Sequence, residues 1–250
     1  PFCVVATSGT TVRGAFDPVK EIAHICADQE LWLHVDAAWG GSCLFSAKYR
    51  QLMDGIELAD SVCWDAHKMM GIPLICSAFL IKRPEILRKI CSHGNVAHYL
   101  FLGDAEDVDL GRISLQCGRR NDALKLFLAW REKGDAGWAR LIENYVELAD
   151  YLQSLCEENE NLEMMSSRVW TNVCIRYTGP GIDHNSVNEQ LRERLVKSGN
   201  FMISQSKIGD DIILRPVIAN PSVSTETLDN LVDEIVSIGN DIIRNIPFSS

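Results

Sequence analysis

The sequence predicts an α/β fold in which short buried strands alternate with helices and are followed by a smaller α+β unit. Two observations support this prediction. In the first half of the chain, apolar runs of strand length alternate with apolar residues at helical spacing. Beyond Gly134 the pattern changes to a long helix, short strands and two more helices. We therefore predict the latter part of a large α/β domain over residues 1–134 and a small α+β domain over 135–250.

The first domain is expected to contain four strands and three helices. The apolar runs that suit buried strands lie at 2–6, 32–36, 61–64 and 76–81. Asp17 is expected to cap a helix whose first residue is Pro18, because a carboxylate and a proline are favoured at these two positions. The apolar face of this helix would comprise Val19, Ile22, Ala23 and Cys26. A second helix opens at Pro84, and the sequence is strongly helical over about 121–158.

The second domain begins with the end of that long helix. Strands are predicted at 169–177, 202–205 and 212–217, and a Gly-Pro-Gly turn at 179–181 separates the first of them from a helix. The last helix begins at about Ser224. Its apolar residues recur at helical spacing, which indicates core packing: Leu228, Leu231, Val232, Ile235 and Ile238.

Composition and charge argue against several classes of protein. The chain has 250 residues, of which 46% are hydrophobic, and this is enough for a sizeable core. The net charge of −10 and the lack of a basic cluster argue against a nucleic-acid partner. The sequence has no run of about eighteen apolar residues, so it predicts no membrane span.

The nine cysteines indicate free thiols rather than disulfides. Their number is odd, and none belongs to a Cys-x-x-Cys pair. Cys63, Cys76 and Cys174 lie in apolar runs of strand type, where buried thiols are common. We therefore expect a reducing compartment and a cytoplasmic protein. The spacing of the cysteines and histidines predicts no zinc site.

Two segments end predicted strands in charged and small residues: HVDAAWGG at 34–41 and SVCWDAHK at 61–68. Asp36 and Lys68 lie at these ends, 32 positions apart, which is about one strand–helix repeat. Open α/β sheets bind ligands at the C-terminal ends of their strands. A lysine amine can form a Schiff base with the aldehyde of pyridoxal phosphate, and an aspartate beside the ring nitrogen keeps that nitrogen protonated by charge attraction. The pair therefore predicts a pyridoxal phosphate site.

These segments resemble those of the pyridoxal phosphate-dependent group II amino-acid decarboxylases, in particular the glutamate and cysteine sulfinate decarboxylase branch. The resemblance extends over almost the whole chain, through ATSGTT at 6–11, QCGRR at 116–120, TNVC at 171–174 and LRPVIANP at 214–221. It implies the aspartate aminotransferase-like fold type I of pyridoxal phosphate enzymes, with the latter part of the large domain followed by the small C-terminal domain. Because the chain opens on Pro1 and enters a strand at once, we expect the C-terminal half of a longer protein.

The resemblance also implies roles for individual residues. Lys68 would hold the cofactor, Asp36 would bind its ring nitrogen, and Ala38 would lie against one face of the ring. His67 would lie near the phosphate and the reacting centre, so Lys68 and His67 are the expected catalytic residues. Thr7 is expected close to the cofactor and to Asp36.

Two further residues are expected near the site: Arg215, and Asp65, where this chain departs from the sequence of the relatives. Arg215 is expected to bind a substrate carboxylate through the two-pronged geometry of its guanidinium group. Asp65 is expected beside the cofactor, but the relatives have Asn-Pro where this chain has Asp65 and Ala66. The extra carboxylate could repel the phosphate, or it could accept a hydrogen bond from a backbone amide and tune His67.

A second departure lies in the segment 102–112. Relatives carry a mobile loop there with a tyrosine that protonates the intermediate after carbon dioxide leaves. The segment in this chain is shorter and contains no tyrosine. His67 or Lys68 could supply the proton instead, or misdirected protonation could lead to abortive transamination.

The implied reaction is decarboxylation of an acidic L-amino acid. L-Glutamate, which would give 4-aminobutanoate, is favoured by KMMG at 68–71 and TNVC at 171–174, with cysteine sulfinate and aspartate as alternatives. Relatives are dimers, so a homodimer is expected for the full-length protein. An aminotransferase-like enzyme and a truncated, inactive protein of the same fold remain as further alternatives.

Overall fold

The computed structural model describes residues 1–91, 110–116 and 118–245. Its first sheet has four strands in the order β1–β2–β3–β4. They are β1 (Cys3–Thr7), β2 (Trp32–Asp36), β3 (Ser61–Asp65) and β4 (Ser77–Ile81). The first three strands are parallel, and β4 runs antiparallel to β3. The four apolar runs therefore form strands, as predicted, with ends that differ from the expected ones by at most one residue.

Helix α1 (Val19–Asp28) joins β1 to β2 and packs against both. It buries Val19, Ala23 and Cys26 of its predicted apolar face. The prediction that Asp17 caps this helix was wrong, and the helix begins after Pro18 rather than at it. The Asp17 carboxylate instead accepts a hydrogen bond from the backbone N–H of Thr7, the last residue of β1, at 2.7 Å.

The chain between β2 and β3 forms three short 3₁₀ helices, Gly40–Phe45, Arg50–Met53 and Ile56–Leu58. Helix α2 (Pro84–Cys91) follows β4, and a further 3₁₀ helix occupies Leu110–Ile113. Helix α3 (Asp122–Glu157) is interrupted at Gly134, whose φ of 62° and ψ of 176° suit glycine alone. This break lies at the boundary proposed between a domain of residues 1–134 and one of residues 135–250.

The second sheet is antiparallel and has the order β5–β6–β8–β7. Its strands are β5 (Leu162–Met164), β6 (Ile175–Tyr177), β7 (Ser204–Ile208) and β8 (Asp211–Arg215). The strand predicted at 169–177 is shorter, because the chain before β6 makes only an isolated bridge between Asn172 and Val217. The strand expected at 202–205 lies at 204–208. Strand β5 was not predicted, since three residues are too few to show alternation.

Helices α4 (His184–Ser198) and α5 (Thr225–Arg244) pack against this sheet and each other. Ser224 caps α5 in a reciprocal arrangement with Thr227, which confirms the start expected for this helix. Gly239 lies against the ring of Tyr177, where an added Cβ would come within 2.3 Å of ring carbons. Glycine therefore allows α5 to approach β6 closely.

One hydrophobic core includes residues of both sheets. Its largest fully buried side chains include Trp138, Tyr145, Trp170 and Tyr177. The eight cysteines in the described part of the chain are free, and six of them are buried. No helix among the described residues is both long and apolar enough to cross a membrane. Within the same residues, no cluster of three or more His, Cys, Asp or Glu side chains is placed to hold a metal ion.

Candidate active site

Thr7, Asp36 and Asp65 are the last residues of β1, β2 and β3. Because these strands are parallel, their C-terminal ends lie at one edge of the sheet. The register pairs Thr7 with Asp36, and Asp36 with Cys63. Paired residues share a face and side chains alternate along a strand, so these three residues and Asp65 project from the same face. The structure thus brings the predicted site residues of the three strands together.

The carboxylate of Asp36 is held through one of its two oxygens. Oδ1 accepts hydrogen bonds from the backbone N–H of Ala38 at 3.1 Å and from the thiol of Cys63 at 3.3 Å. Within the described residues, Oδ2 has no hydrogen-bond partner. The carboxylate is therefore oriented, and it keeps one oxygen for a positively charged N–H group of a ligand.

The segments that follow β1 and β2 meet through their backbones. The N–H of Gly40 donates to the carbonyl of Ser8 at 3.0 Å, and a Cβ on Gly40 would lie 2.5 Å from that oxygen. Gly9 has a φ of +86°, and a Cβ there would lie 2.6 Å from the backbone nitrogen of Gly40. Both positions require glycine. The close approach holds the segment after Thr7 against the segment after Asp36.

Lys68 lies in a tight turn that follows β3. Its backbone N–H donates to the carbonyl of Asp65 at 3.1 Å. Its Nζ lies 3.0 Å from Oδ2 of Asp65, and Nε2 of His67 lies 3.8 Å from the same oxygen. Asp65 therefore forms an ion pair with Lys68, which neither of the sequence-based alternatives for Asp65 included.

The surroundings of Asp65 favour its charged form. Burial raises the pKa of the carboxyl, but hydrogen bonds from Ser77 and Lys68 and the charges of Lys68 and His67 outweigh burial. The pKa of Asp65 is consequently lower than the ordinary value of 3.8. An ionised Asp65 faces the Lys68 ammonium group at neutral pH.

His67 is attached to the beginning of β4. Its backbone N–H donates to the carbonyl of Cys76 at 3.1 Å. Its Nδ1 lies 2.9 Å from the same carbonyl oxygen and 3.4 Å from the hydroxyl of Ser77. These contacts leave Nε2 directed toward Asp65. The imidazole is thus fixed beside Lys68 with one ring nitrogen on the site side.

Lys125 holds the loop after Lys68, and sequence reasoning missed it. Its Nζ donates to the carbonyls of Pro73 and Ile75, each at 2.9 Å, and forms an ion pair with Asp122 at 2.7 Å. Lys125 lies in the first turns of α3. A lysine early in a helix carries no local signal for such a role, because its partners are about 50 positions away.

Arg215 ends β8 and contacts the segment that follows β1. Its Nη1 donates to the carbonyl of Thr11 at 2.6 Å. Burial lowers the pKa of the guanidinium group, and Nε is buried without a hydrogen-bond partner in the described structure. No described contact joins Arg215 directly to Asp36 or Lys68. The predicted substrate residue is therefore near the site segments but linked to them indirectly.

Asn172 supplies that link, and sequence reasoning did not assign it a role. Its Oδ1 accepts the indole N–H of Trp39 at 2.9 Å. Its Nδ2 donates to the carbonyls of Thr11 and Val12 at 2.9 and 3.0 Å. Thr11 thus receives donors from both Asn172 and Arg215. The motif at 171–174 contained this residue, but its partners are far away in sequence.

A cavity of about 700 Å³ lies beside the Lys68 turn. Its lining includes Trp64, Ala66 and Cys76 on the sheet side and Gln116, Arg119 and Arg120 on the other. The two arginines are exposed side chains at the approach to α3. The segment 102–112 lacks the tyrosine that the relatives carry. Residues 102–109 of this segment lie outside the described part of the chain, so its role stays a prediction.

The conserved domain of the pyridoxal-dependent decarboxylases matches residues 1–178 of the chain. The chain belongs to the pyridoxal-dependent decarboxylase family. Human cysteine sulfinic acid decarboxylase is 42% identical over 257 aligned positions, which cover 97% of this chain and 52% of that protein. The acidic amino acid decarboxylase GADL1 of Bos taurus is 41% identical and is covered to 49%. The chain spans about half the length of these curated relatives.

Solved structures of pyridoxal-dependent decarboxylases share this fold. The crystal structure of the mouse protein abbreviated CSAD superposes with a TM-score of 0.89 at 39% sequence identity. The match covers 96% of this chain and 52% of the CSAD chain. A 4-hydroxyphenylacetaldehyde synthase from Rhodiola rosea superposes with a TM-score of 0.86 at 28% sequence identity. That match covers 97% of this chain and 50% of the synthase chain. The predicted family and the predicted fold class are both confirmed.

Pyridoxal phosphate is the cofactor of this family, as predicted, and the site residues fit it. Lys68 offers an amine, and Asp36 offers an oxygen that has no other partner in the described structure. Asp36 ends β2, and Lys68 lies in the turn that follows the neighbouring strand β3. A primary amine and an oriented carboxylate are the two groups that an aldehyde and a protonated pyridine nitrogen require.

Proposed function

We propose that the full-length protein decarboxylates an acidic L-amino acid with the help of pyridoxal phosphate. The observation that carries this proposal is the placement of Asp36 at the end of β2 and of Lys68 in the turn after β3, with the Asp36 carboxylate held through Oδ1 in the described structure. When bound, pyridoxal phosphate supplies a sink for the electron pair released as the carboxylate leaves. The family match over residues 1–178 supports the reaction class.

Each site residue has a role in this proposal. Lys68 holds the cofactor aldehyde through its amine, and Asp36 holds the ring nitrogen in its protonated form by charge attraction. Thr7 and Ala38 lie beside Asp36 on adjoining segments and limit the position of the ring. His67, with Nε2 on the site side, and Lys68 are the described groups that can return a proton to the α-carbon.

Asp65 has a positioning role at the same site. Its carboxylate forms an ion pair with Lys68 and keeps the amine beside the end of β3. A protonated amine cannot act as a nucleophile, so the ion pair would have to open for Lys68 to hold the cofactor aldehyde. The same carboxylate oxygen lies 3.8 Å from Nε2 of His67, so Asp65 is also beside the imidazole.

Arg215 is the proposed binding residue for a substrate carboxylate. Its side chain is half-buried and donates through Nη1 to the carbonyl of Thr11, and the planar array of guanidinium N–H donors suits a carboxylate. The names of the relatives specify cysteine sulfinic acid and acidic amino acids. These names favour cysteine sulfinate over the L-glutamate predicted from the sequence, and both acids, with aspartate, belong in the test.

The proposed assembly and location follow the sequence-based expectations. The full-length protein is proposed to be a homodimer that acts in the cytoplasm. Support for the location comes from the eight described cysteines, all of them free thiols. Support for the dimer comes from the family resemblance alone, and analytical ultracentrifugation of the full-length protein tests it.

The test of this function uses the full-length protein with pyridoxal phosphate. The absorbance spectrum is recorded first, and L-glutamate, L-aspartate and cysteine sulfinate are then added separately while carbon dioxide is measured. A band of protein-bound cofactor together with carbon dioxide from at least one acid supports the proposal. Bound cofactor without carbon dioxide from any of the three acids contradicts it.

Two variants test whether cofactor binding and carbon dioxide release depend on Lys68 and Asp36. Lys68→Ala should remove the band of covalently held cofactor, whereas Asp36→Asn should retain that band but lose most of the carbon dioxide release. Lys89→Ala, on the exposed side of α2, is the matched control and should change neither signal.

A further inference from the structure

Cys63 and Asp36 form the closest side-chain contact that a cysteine makes with a proposed cofactor residue in the described structure. They are register partners on β3 and β2, so their side chains project from the same face. The thiol sulfur lies 3.3 Å from Oδ1 of Asp36, within hydrogen-bond distance for sulfur. The β2–β3 pairing fixes this distance, since the N–H of Ala37 donates to the carbonyl of Cys63 at 3.0 Å.

The protonation state of the thiol suits a donor. Burial is the largest influence and, together with the hydrogen bond to Asp36 and the charge of that carboxylate, it raises the pKa of Cys63 to about 11. The side chain is therefore a neutral S–H group at physiological pH. A carboxylate can only accept hydrogen bonds, so the direction of the bond is from Cys63 to Asp36.

The contact makes the two oxygens of the Asp36 carboxylate different in their hydrogen bonding. Oδ1 accepts the thiol of Cys63, which lies in β3, and the N–H of Ala38, which lies in the turn after β2. Rotation of the carboxylate would break both contacts. Within the described residues Oδ2 stays without a partner and is the oxygen that can face a ligand.

We propose that Cys63 is a positioning residue that orients the Asp36 carboxylate for the cofactor ring nitrogen. This inference rests on the proposed role of Asp36. A thiol is a weak donor, so it fixes the direction of the carboxylate while withdrawing little of its negative charge. Asp36 thereby remains an effective partner for a protonated nitrogen.

The first experiment examines the hydrogen bond without cofactor. Infrared difference spectra of the cofactor-free full-length protein, wild type minus Cys63→Ala and wild type minus Cys26→Ala, isolate the S–H stretching band of each thiol. Cys26 is buried in α1, and its thiol donates to no carboxylate in the described structure, so it serves as the reference thiol. The Cys63 band should lie at lower frequency, and a Cys63 band at the frequency of Cys26 overturns the proposal.

The second experiment measures the dissociation constant of pyridoxal phosphate by fluorescence. Cys63→Ala should raise it about threefold to tenfold, in keeping with the loss of one weak hydrogen-bond donor. Cys63→Ser, which restores a donor, should bring it back to within about twofold of the wild type. Cys26→Ala should leave it unchanged although it also removes a buried thiol.

The outcomes separate this proposal from the proposed function. A dissociation constant that is the same in Cys63→Ala and wild type contradicts the positioning role, even if the enzyme decarboxylates its substrate. Equal weakening by Cys63→Ala and Cys63→Ser also contradicts it, because a void rather than a lost donor would then explain the effect. If the protein binds no pyridoxal phosphate, the proposed function fails, while the infrared bands still decide whether Cys63 donates to Asp36.

Discussion

The indole N–H of Trp39 donates to the Oδ1 of Asn172 at 2.9 Å, across 133 positions of sequence. Trp39 lies three residues after Asp36, and Asn172 lies between β5 and β6 of the second sheet. The amide nitrogen of Asn172 donates to two carbonyls of the segment after β1. One buried side chain therefore connects three segments around the site.

Substitution of Asn172 should disturb both stability and substrate binding. Asn172→Ala leaves the Trp39 N–H and the carbonyls of Thr11 and Val12 without their partner, and such groups cost about 1–3 kcal/mol when buried. We expect the free energy of unfolding in urea to fall by that amount. We also expect a higher KM for the acidic substrate, because Thr11 anchors Arg215.

Asn172→Asp is the informative companion variant. It keeps the acceptor for Trp39 but loses both donor contacts to the carbonyls, so its stability should lie below that of the wild type. Asn245→Ala, at the exposed end of α5, is the control and should affect neither quantity. Wild-type KM and stability in Asn172→Ala would show that the three segments hold their positions without this side chain.

Asp65 should contribute to stability in a pH-dependent way. Its pKa is lowered in the folded protein, so its contribution is present above the ordinary value of 3.8 and is lost as pH falls through the lower folded value. The wild type should therefore be more stable than Asp65→Asn near neutral pH, and the difference should shrink below pH 3.8. Urea unfolding at a series of pH values measures this difference.

The control for Asp65 is another ion pair of the same length. Asp54 forms an exposed ion pair with Lys20 at 3.0 Å, and exposed pairs contribute little. Asp54→Asn should show a smaller change with pH than Asp65→Asn. A pH profile of Asp65→Asn that runs parallel to the wild type would contradict the ion pair with Lys68.

How much of this site could be predicted depends on how local its signals are. Asp36 at the end of β2 and Lys68 in the turn after β3 belong to sequence patterns of about eight residues, and those patterns predicted both the strands and the cofactor. The carboxylate of Asp17 precedes a proline and looks like a helix cap, yet the end of β1 binds it instead. A local rule cannot anticipate a partner supplied by tertiary structure.

Lys125 and Asn172 were missed for the same physical reason. Their donors and acceptors are ordinary in type, and their importance comes from partners about 50 to 160 positions away. Cys63 was predicted only as a buried thiol and is half-buried in the structure; its contact with Asp36 depends on the register between β2 and β3. Positions of strand ends can be inferred from sequence, but the contacts that orient side chains there require the folded chain.

Lys125 should control the mobility of the loop after Lys68. Lys125→Met keeps the length of the side chain but loses the hydrogen bonds to the carbonyls of Pro73 and Ile75. We expect amide hydrogen exchange over residues 71–76 to become faster, because the loop loses its anchor on α3. Hydrogen-exchange mass spectrometry of the full-length protein measures this change.

The matching control is Lys89→Met on α2, where the lysine is exposed. It should leave exchange over residues 71–76 unchanged. Retention of pyridoxal phosphate during dialysis should also decline in Lys125→Met, since the loop follows the residue that holds the cofactor. Wild-type exchange in Lys125→Met would mean that other contacts fix the loop.

Arg215→Lys tests the proposed substrate carboxylate contact. Lysine retains the positive charge but cannot present two parallel N–H donors, and hydrogen bonds to charged groups contribute about 1.5–3 kcal/mol. We expect KM for the acidic substrate to rise roughly tenfold or more, with a smaller change in kcat. Steady-state kinetics of the full-length protein with each of the three acids measures the two parameters separately.

The control variant is Arg194→Lys, which alters an exposed arginine paired with Asp241 on the helical side of the second sheet. It should leave both parameters close to those of the wild type. The dissociation constant of pyridoxal phosphate should be unchanged in Arg215→Lys, because no described contact joins Arg215 to Asp36 or Lys68. Unchanged KM in Arg215→Lys, with all three acids, would remove Arg215 from the substrate site and leave its bond to Thr11 as a structural contact.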